Sequence, residues 1–301
     1  MAAPRRRLTP RVDAWRRGGE VIDIGGRKIF VHDQAGTGRP LLLLHGYPSS
    51  SYDWRHVFEL LPDRRMTSFD FLGFGLSDKP RKHVYSLHAH ADTVQAIAAR
   101  YAGEPLVLVA HDMGTSVVTE LLARDIEGRL PFELAAVLLF NGSIVIERAS
   151  LTIGQKLLRG RLGPLAARLS NERAFRAQFA RIFSAQHPLT AAEAADQWAL
   201  LAYNDGHRIL DRLTFYLHER TTYAARWHRA LRDWPGRLEL GWAERDPVCT
   251  EAVLQAVRAL RPTAPLTRLP GLGHYPQIED PRAAIAVIGR FASQARPPTG
   301  C

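Results

Sequence analysis

The chain has 301 residues, 46% of them hydrophobic and 23% charged, with a formal net charge of +10. That balance describes a globular protein long enough for one large core plus an inserted subdomain, and no apolar run approaches the ~20 residues that span a bilayer. The two cysteines, Cys249 and Cys301, make no disulfide framework, and the scattered arginines lack zinc-ligand spacing or a basic zipper, so no nucleic-acid partner is expected.

The basic start of the chain, residues 1–17, has no apolar segment behind it, which reads against a secretory signal, and the lack of a disulfide framework reads for a cytoplasmic protein. The ends, 1–11 and 296–301, are rich in Pro, Arg and small residues and read as loose. Residues 20–24 and 28–33 flank Gly25-Gly26 and predict a hairpin. Residues 40–45 are continuously apolar, as a strand buried on both faces should be. A helix is expected over 52–61, a strand over 66–70 and a helix over 86–101. Another buried strand covers 105–111, followed by a helix over 114–125 and a strand over 134–140. The alternation then stops. Residues 143–234 are rich in Leu, Ala and Arg and contain no convincing strand, which predicts a helical insertion. It resumes with a strand over 237–242, a helix over 250–260, a strand over 264–269 and a helix over 281–292. The pattern predicts a mostly parallel sheet with helices on both faces, organised as core 12–142, cap 143–234 and core 235–295.

The chemistry centres on residues 106–115, where an apolar strand runs straight into a helix. Asp112 stands at the turn with Ala110 two residues before it and Gly114 two after, the small-residue spacing of a nucleophile elbow. The alternative is an ordinary Asp capping the next helix, which leaves the paired small residues without a reason. A carboxylate nucleophile is already ionised, is favoured by the helix dipole and can form an ester with a substrate carbon. Hydrolysis of that ester needs a general base. His274, in a Gly- and Pro-rich loop after the last strand, is the candidate. Asp246 follows the preceding strand and is the candidate to orient it, with Glu244 as rival; Asn141-Gly142, after the earlier strand, offers no acid. The amides of Tyr47 and Met113 are candidates for the oxyanion hole.

Other features carry less. Gly73-Phe74-Gly75 lacks the third glycine of a dinucleotide loop. His45 and His111 read as buried structural histidines rather than metal ligands, and no metal or cofactor is expected. Residues 156–176 interleave Leu157, Leu158, Leu162, Leu165 and Leu169 with arginines. A lid helix packing its Leu face on the core is the expected reading, and a membrane-surface helix the weaker one.

The chain resembles the epoxide hydrolase and haloalkane dehalogenase branch of the α/β-hydrolase superfamily. The matching blocks are residues 45–54 (from His45-Gly46-Tyr47-Pro48), 70–80, His111-Asp112-Met113-Gly114, and 273–281. Within the branch the likeness is greatest to the mesoderm-specific transcript hydrolases, through 70–80, Asn204-Asp205-Gly206 and 274–281. The resemblance implies an α/β-hydrolase fold, with an eight-stranded, mostly parallel sheet and a helical lid between core strands. It also implies an Asp112-His274-Asp246 triad. Met113 and Tyr47 stand where dehalogenases of this kind place halide-holding residues, and neither offers such a cradle. Epoxide hydrolases use lid tyrosines. Here the corresponding stretch reads Trp227-His228-Arg229, so Trp227, His228, Tyr203, Tyr216 and Tyr223 are candidates for substrate contact. The expectation is a cofactor-independent hydrolase, monomer or homodimer, forming a covalent ester with a small apolar substrate. An epoxide is favoured, with haloalkane, ester or lactone as alternatives. A non-catalytic ligand-binding protein on the same fold is the rival of another class, and the intact triad argues against it.

Overall fold

The computed structural model describes residues 7–101 and 103–294. One sheet holds β1 (Glu20–Ile24), β2 (Arg27–Gln34), β3 (Thr37–Leu44), β4 (Arg64–Phe69), β5 (Leu106–His111), β6 (Leu134–Phe140), β7 (Arg237–Ala243) and β8 (Leu266–Leu269). Their order across it is β1-β2-β4-β3-β5-β6-β7-β8. β1 pairs antiparallel with β2, and β2 with β4, while every pairing from β4 to β8 is parallel. This is the α/β-hydrolase fold that the resemblance implied.

Before β6 come α1 (Pro10–Gly18), α2 (Arg55–Leu60), α3 (Leu87–Ala98) and α4 (Met113–Ile126). Between β6 and β7 the chain forms α5 (Ile153–Arg159), α6 (Gly163–Leu169), α7 (Glu172–Phe179), α8 (Ala191–Ala202), α9 (Leu210–Leu213), α10 (Tyr216–Thr222) and α11 (Ala224–Asp233). After β7 come α12 (Glu251–Leu260), α13 (Pro276–Glu279) and α14 (Pro281–Gln294).

The continuously apolar strands have a plain cause, because successive side chains enter two different cores. Leu42, Leu44, Leu108 and Ala110 join the core that includes residues of α3, α4 and α12. Leu41, Leu43, Val107 and Val109 join the core that includes residues of α1, α2 and α14.

Two expectations need correction. Of the ends read as loose, only residues 7–11 are described, and Pro10 and Arg11 begin α1. Thr9 caps that helix, Val12 and Trp15 are buried, and Trp15 stacks on His32 at 3.6 Å. Thr9 Oγ1 also donates to Asp196 Oδ1 at 2.5 Å, so α1 is tied to the helix over Ala191–Ala202. Residues 296–301, with Cys301, lie outside the described residues. The Leu-rich stretch 156–176 is not one helix laying a stripe on the core. It breaks after Arg159 and after Leu169, and only Leu158 of its five leucines is half-buried. Leu157, Leu162, Leu165 and Leu169 are exposed.

Candidate active site

Strand β5 ends at His111 and α4 begins at Met113, leaving Asp112 alone to turn the chain, at φ 45° and ψ −112°. That φ lies in the left-handed region, which side chains other than glycine disfavour. Close approach between the turn and the end of β3 leaves no room for a side chain at Gly114 or at Gly46. A Cβ on Gly114 would lie 2.7 Å from the His45 carbonyl oxygen and 2.8 Å from that of Leu44. A Cβ on Gly46 would lie 2.6 Å from Asp112 Cβ. Asp112 stands at the N-cap position of α4, yet its side chain makes no capping bond. The plain helix-cap reading therefore does not describe it.

The Asp112 carboxylate has three neighbours. The Tyr47 N–H donates to Oδ2 at 2.9 Å. Oδ1 faces His274 Nε2 at 4.0 Å and Arg220 Nη2 at 3.8 Å. Of the two amides expected in an oxyanion hole, only that of Tyr47 bonds the carboxylate; Met113, one residue further on, opens the helix.

His274 Nδ1 lies 2.7 Å from Asp246 Oδ2. The other Asp246 oxygen accepts from the Val248 and Cys249 amides at 2.7 and 3.0 Å. Asn141, set aside in the sequence because it is no acid, donates to Asp246 Oδ2 at 2.9 Å. It also bridges both polar groups of the Ala243 backbone, at 2.8 Å to N and 3.1 Å to O. Glu244, the rival acid, instead pairs with Arg268 at the surface.

Burial sets the starting cost for these groups, and neighbours overturn it. Burial alone would raise the pKa of Asp246, but the His274 charge and hydrogen bond, then the two amides, hold it below its ordinary value. Burial alone would depress His274, but Asp246, then Asp112 and Glu279, push it up to about 9. His111 goes the other way. Burial, then the His274 charge, lowers it to about 4, so it stays neutral beside the loop it supports. Its Nε2 meets the His274 carbonyl oxygen at 2.6 Å and its Nδ1 the Gln277 amide at 3.3 Å. His45 is likewise engaged with backbone, at Gly46 O and Phe71 N.

Arg220 is the residue that sequence reasoning missed. It is fully buried on α10, with Nε donating to Ser116 Oγ at 2.8 Å and Nη1 donating to Ser143 Oγ. Its Nη2 donates to the Asp112 carbonyl at 3.3 Å. Two buried carboxylates, Asp112 and Asp246, thus face two buried cations, Arg220 and protonated His274. Nothing in the sequence marks Arg220 among so many arginines.

Asp246, Cys249 and His274 bring ligand-type atoms within 4.8 Å of one another. Each is already engaged, since the Cys249 thiol donates to Asn141 O at 3.0 Å and the other two bond each other. Burial, then the Asp246 and Asp112 charges, keeps that thiol protonated, which makes it a poor metal donor.

Asp112 and His274 open on a cavity of about 350 Å³. Its walls are mostly apolar and come largely from the segment between β6 and β7, including Leu158, Ala166, Phe179 and Trp198, with Gln155 as a polar wall. None of the five lid candidates lines it. Trp227 turns to the core, where its Nε1 donates to Glu120 Oε2 on α4 at 3.0 Å. Glu120 also accepts from Arg226 and Arg124, which fixes α11 against α4. His228 shares that helix and Tyr223 precedes it, with its ring against His88. Tyr203 sits by Lys79 and Asn204-Asp205-Gly206, where a Cβ on Gly206 would meet the lysine chain at 2.4 Å. That motif therefore packs the segment between β6 and β7 against Lys79. Tyr216 comes nearest the site. Its ring centroid is 5.5 Å from that of Tyr47, and its hydroxyl accepts from Gln155 Nε2 at 3.0 Å.

The model of the alpha/beta hydrolase family matches residues 41–287. The chain belongs to that family. It is similar to LipZ of Mycobacterium tuberculosis, which is named as a hydrolase, at 53% identity across 91% of this chain and 96% of LipZ. It is 35% identical to the mesoderm-specific transcript protein of Mus musculus, across 92% of this chain and 87% of that one. A solved haloalkane dehalogenase variant from Bradyrhizobium elkanii has the same fold, with a TM-score of 0.75, 19% identity and coverage of 92% and 96%. By family, this alpha/beta hydrolase is a hydrolytic enzyme.

Proposed function

We propose that Asp112 is the nucleophile of a two-step, cofactor-independent hydrolysis, and that its substrates are small apolar epoxides. The observation that carries this reading is the placement of one carboxylate. Tyr47 holds Oδ2, and Oδ1 points toward His274 at the end of an apolar cavity. A cavity of this size and lining suits a small molecule with few polar groups.

In the first step, Asp112 Oδ1 attacks a ring carbon and the C–O bond of the epoxide breaks. The released oxygen takes a proton, giving a hydroxyalkyl ester. His274, a cation that lines the cavity, is the proposed donor, and giving up its proton leaves it neutral. In the second step, His274 takes a proton from water and the hydroxide attacks the ester carbonyl carbon. The Tyr47 amide stabilises the resulting oxyanion. The ester bond breaks as the His274 imidazolium gives its proton to the departing alkoxide, the diol leaves, an oxygen from water stays on Asp112, and the Asp112 carboxyl proton passes back to His274.

The charge states support this order. With Asp112 ionised, His274 is a cation and cannot take a proton. Esterification removes the Asp112 charge and lowers the affinity of His274 for its proton, which goes to the released oxygen, so the neutral imidazole is ready as base. The absence of a side-chain N–H at Tyr47 and Met113 favours an epoxide over a carbon–halogen bond.

Intact mass of His274→Gln after incubation with epoxide, haloalkane and ester panels tests the reading. The expected result is a stable adduct on Asp112 with epoxides, absent from Asp112→Asn/His274→Gln. No adduct with any class would sink the covalent mechanism and favour a ligand-binding role.

A further inference from the structure

We infer that the α5–α6 edge of the lid is a docking face for an anionic lipid surface, from which apolar substrate enters the cavity. Five large aliphatic side chains stand in solvent there: Ile153 at 68% exposure, Leu157 at 48%, Leu162 at 64%, Leu165 at 53% and Leu169 at 67%. A cluster of that kind on one short stretch is the mark of an interaction surface.

Charge selects the occupant. Between Glu147 and Glu172 the sequence has no acidic residue and five basic ones, Arg148, Lys156, Arg159, Arg161 and Arg168. The last four are exposed, and among the described residues no ion pair engages them. Leucines interleaved with uncompensated cations match an interface where anionic headgroups cover acyl chains. A second copy of this chain would bring the same cations face to face, which repels.

Position supplies the second argument. Leu157 and Leu169 both line the cavity and stand largely exposed, so the apolar wall of the cavity continues onto this face. A lipid surface can use that continuity, because an apolar molecule can pass inward without crossing water. A soluble protein partner gains nothing from it.

The experiment is flotation of the full chain with phosphatidylcholine vesicles and with vesicles containing equal phosphatidylglycerol, at low and high salt. Two double variants, Leu162→Ser/Leu165→Ser and Arg159→Glu/Arg161→Glu, change only residues outside the cavity wall. Circular dichroism melts confirm that each variant is folded. The chain should float with anionic vesicles at low salt, and each variant should partition about tenfold less or worse. Failure to float at low salt overturns the proposal, as does equal flotation of both variants. A dimer dissolved by the serine variant would assign the face to a second copy instead. Flotation needs no turnover, so its failure leaves the catalytic reading untouched.

Discussion

The Arg220 guanidinium lies 3.8 Å from Asp112 Oδ1 and donates to the main-chain carbonyl of the same residue at 3.3 Å. It thus braces both the charge and the strained backbone of the turn. Removing one member of a buried ionic set strands the others, at about 3–5 kcal/mol. Arg220→Leu should lower the urea midpoint by a corresponding amount, and Arg220→Lys should recover only part of it, because lysine lacks the planar fork. An unchanged midpoint in Arg220→Leu would refute the bracing role.

Stability should depend on pH through His274. Its value is raised from 6.5 unfolded to about 9 folded. The native state therefore holds the proton more tightly. That stabilisation is fully present below about 6.5 and is lost as pH rises through about 9. Urea midpoints of the wild type and His274→Gln, compared in mildly acid and alkaline buffers, should converge toward the alkaline side. A gap that widens there would contradict the assignment.

Replacing Asp246 should separate the two chemical steps. Asp246→Asn removes the charge that orients the imidazole and supports its cation, so ester hydrolysis should slow on the order of 10³–10⁴-fold. Ester formation should fall far less, because in the proposed mechanism Asp112 itself attacks. Single-turnover mass kinetics resolve the two. Asn141→Ala, which takes away one donor to Asp246, should show the same split at smaller size. Equal loss in both steps would argue that these residues hold the fold rather than the base.

The elbow should resist even one added methyl group. A Cβ on Gly114 would press on the backbone carbonyls of Leu44, the last residue of β3, and of His45, which cannot move cheaply. Gly114→Ala should cost about 1–3 kcal/mol, visible as a lower melting temperature.

The sequence by itself determined the alternation of strands and helices and the turn at Asp112. These are local properties, written as apolar runs that must be buried on both faces and as small residues where two strand ends close together. The helix at Pro10 escaped such reading because its Arg-rich composition hides a single buried stripe of Val12 and Trp15. Tertiary structure alone decided how the segment between β6 and β7 packs. Trp227, on the stretch the resemblance pointed to, turned away because Glu120, more than a hundred residues earlier, captured its indole N–H. Arg220 became part of the site, and Asn141 its support, because distant strands and helices converge there. Their partners lie far along the chain, and a contact of that kind leaves no period or spacing for a sequence to display.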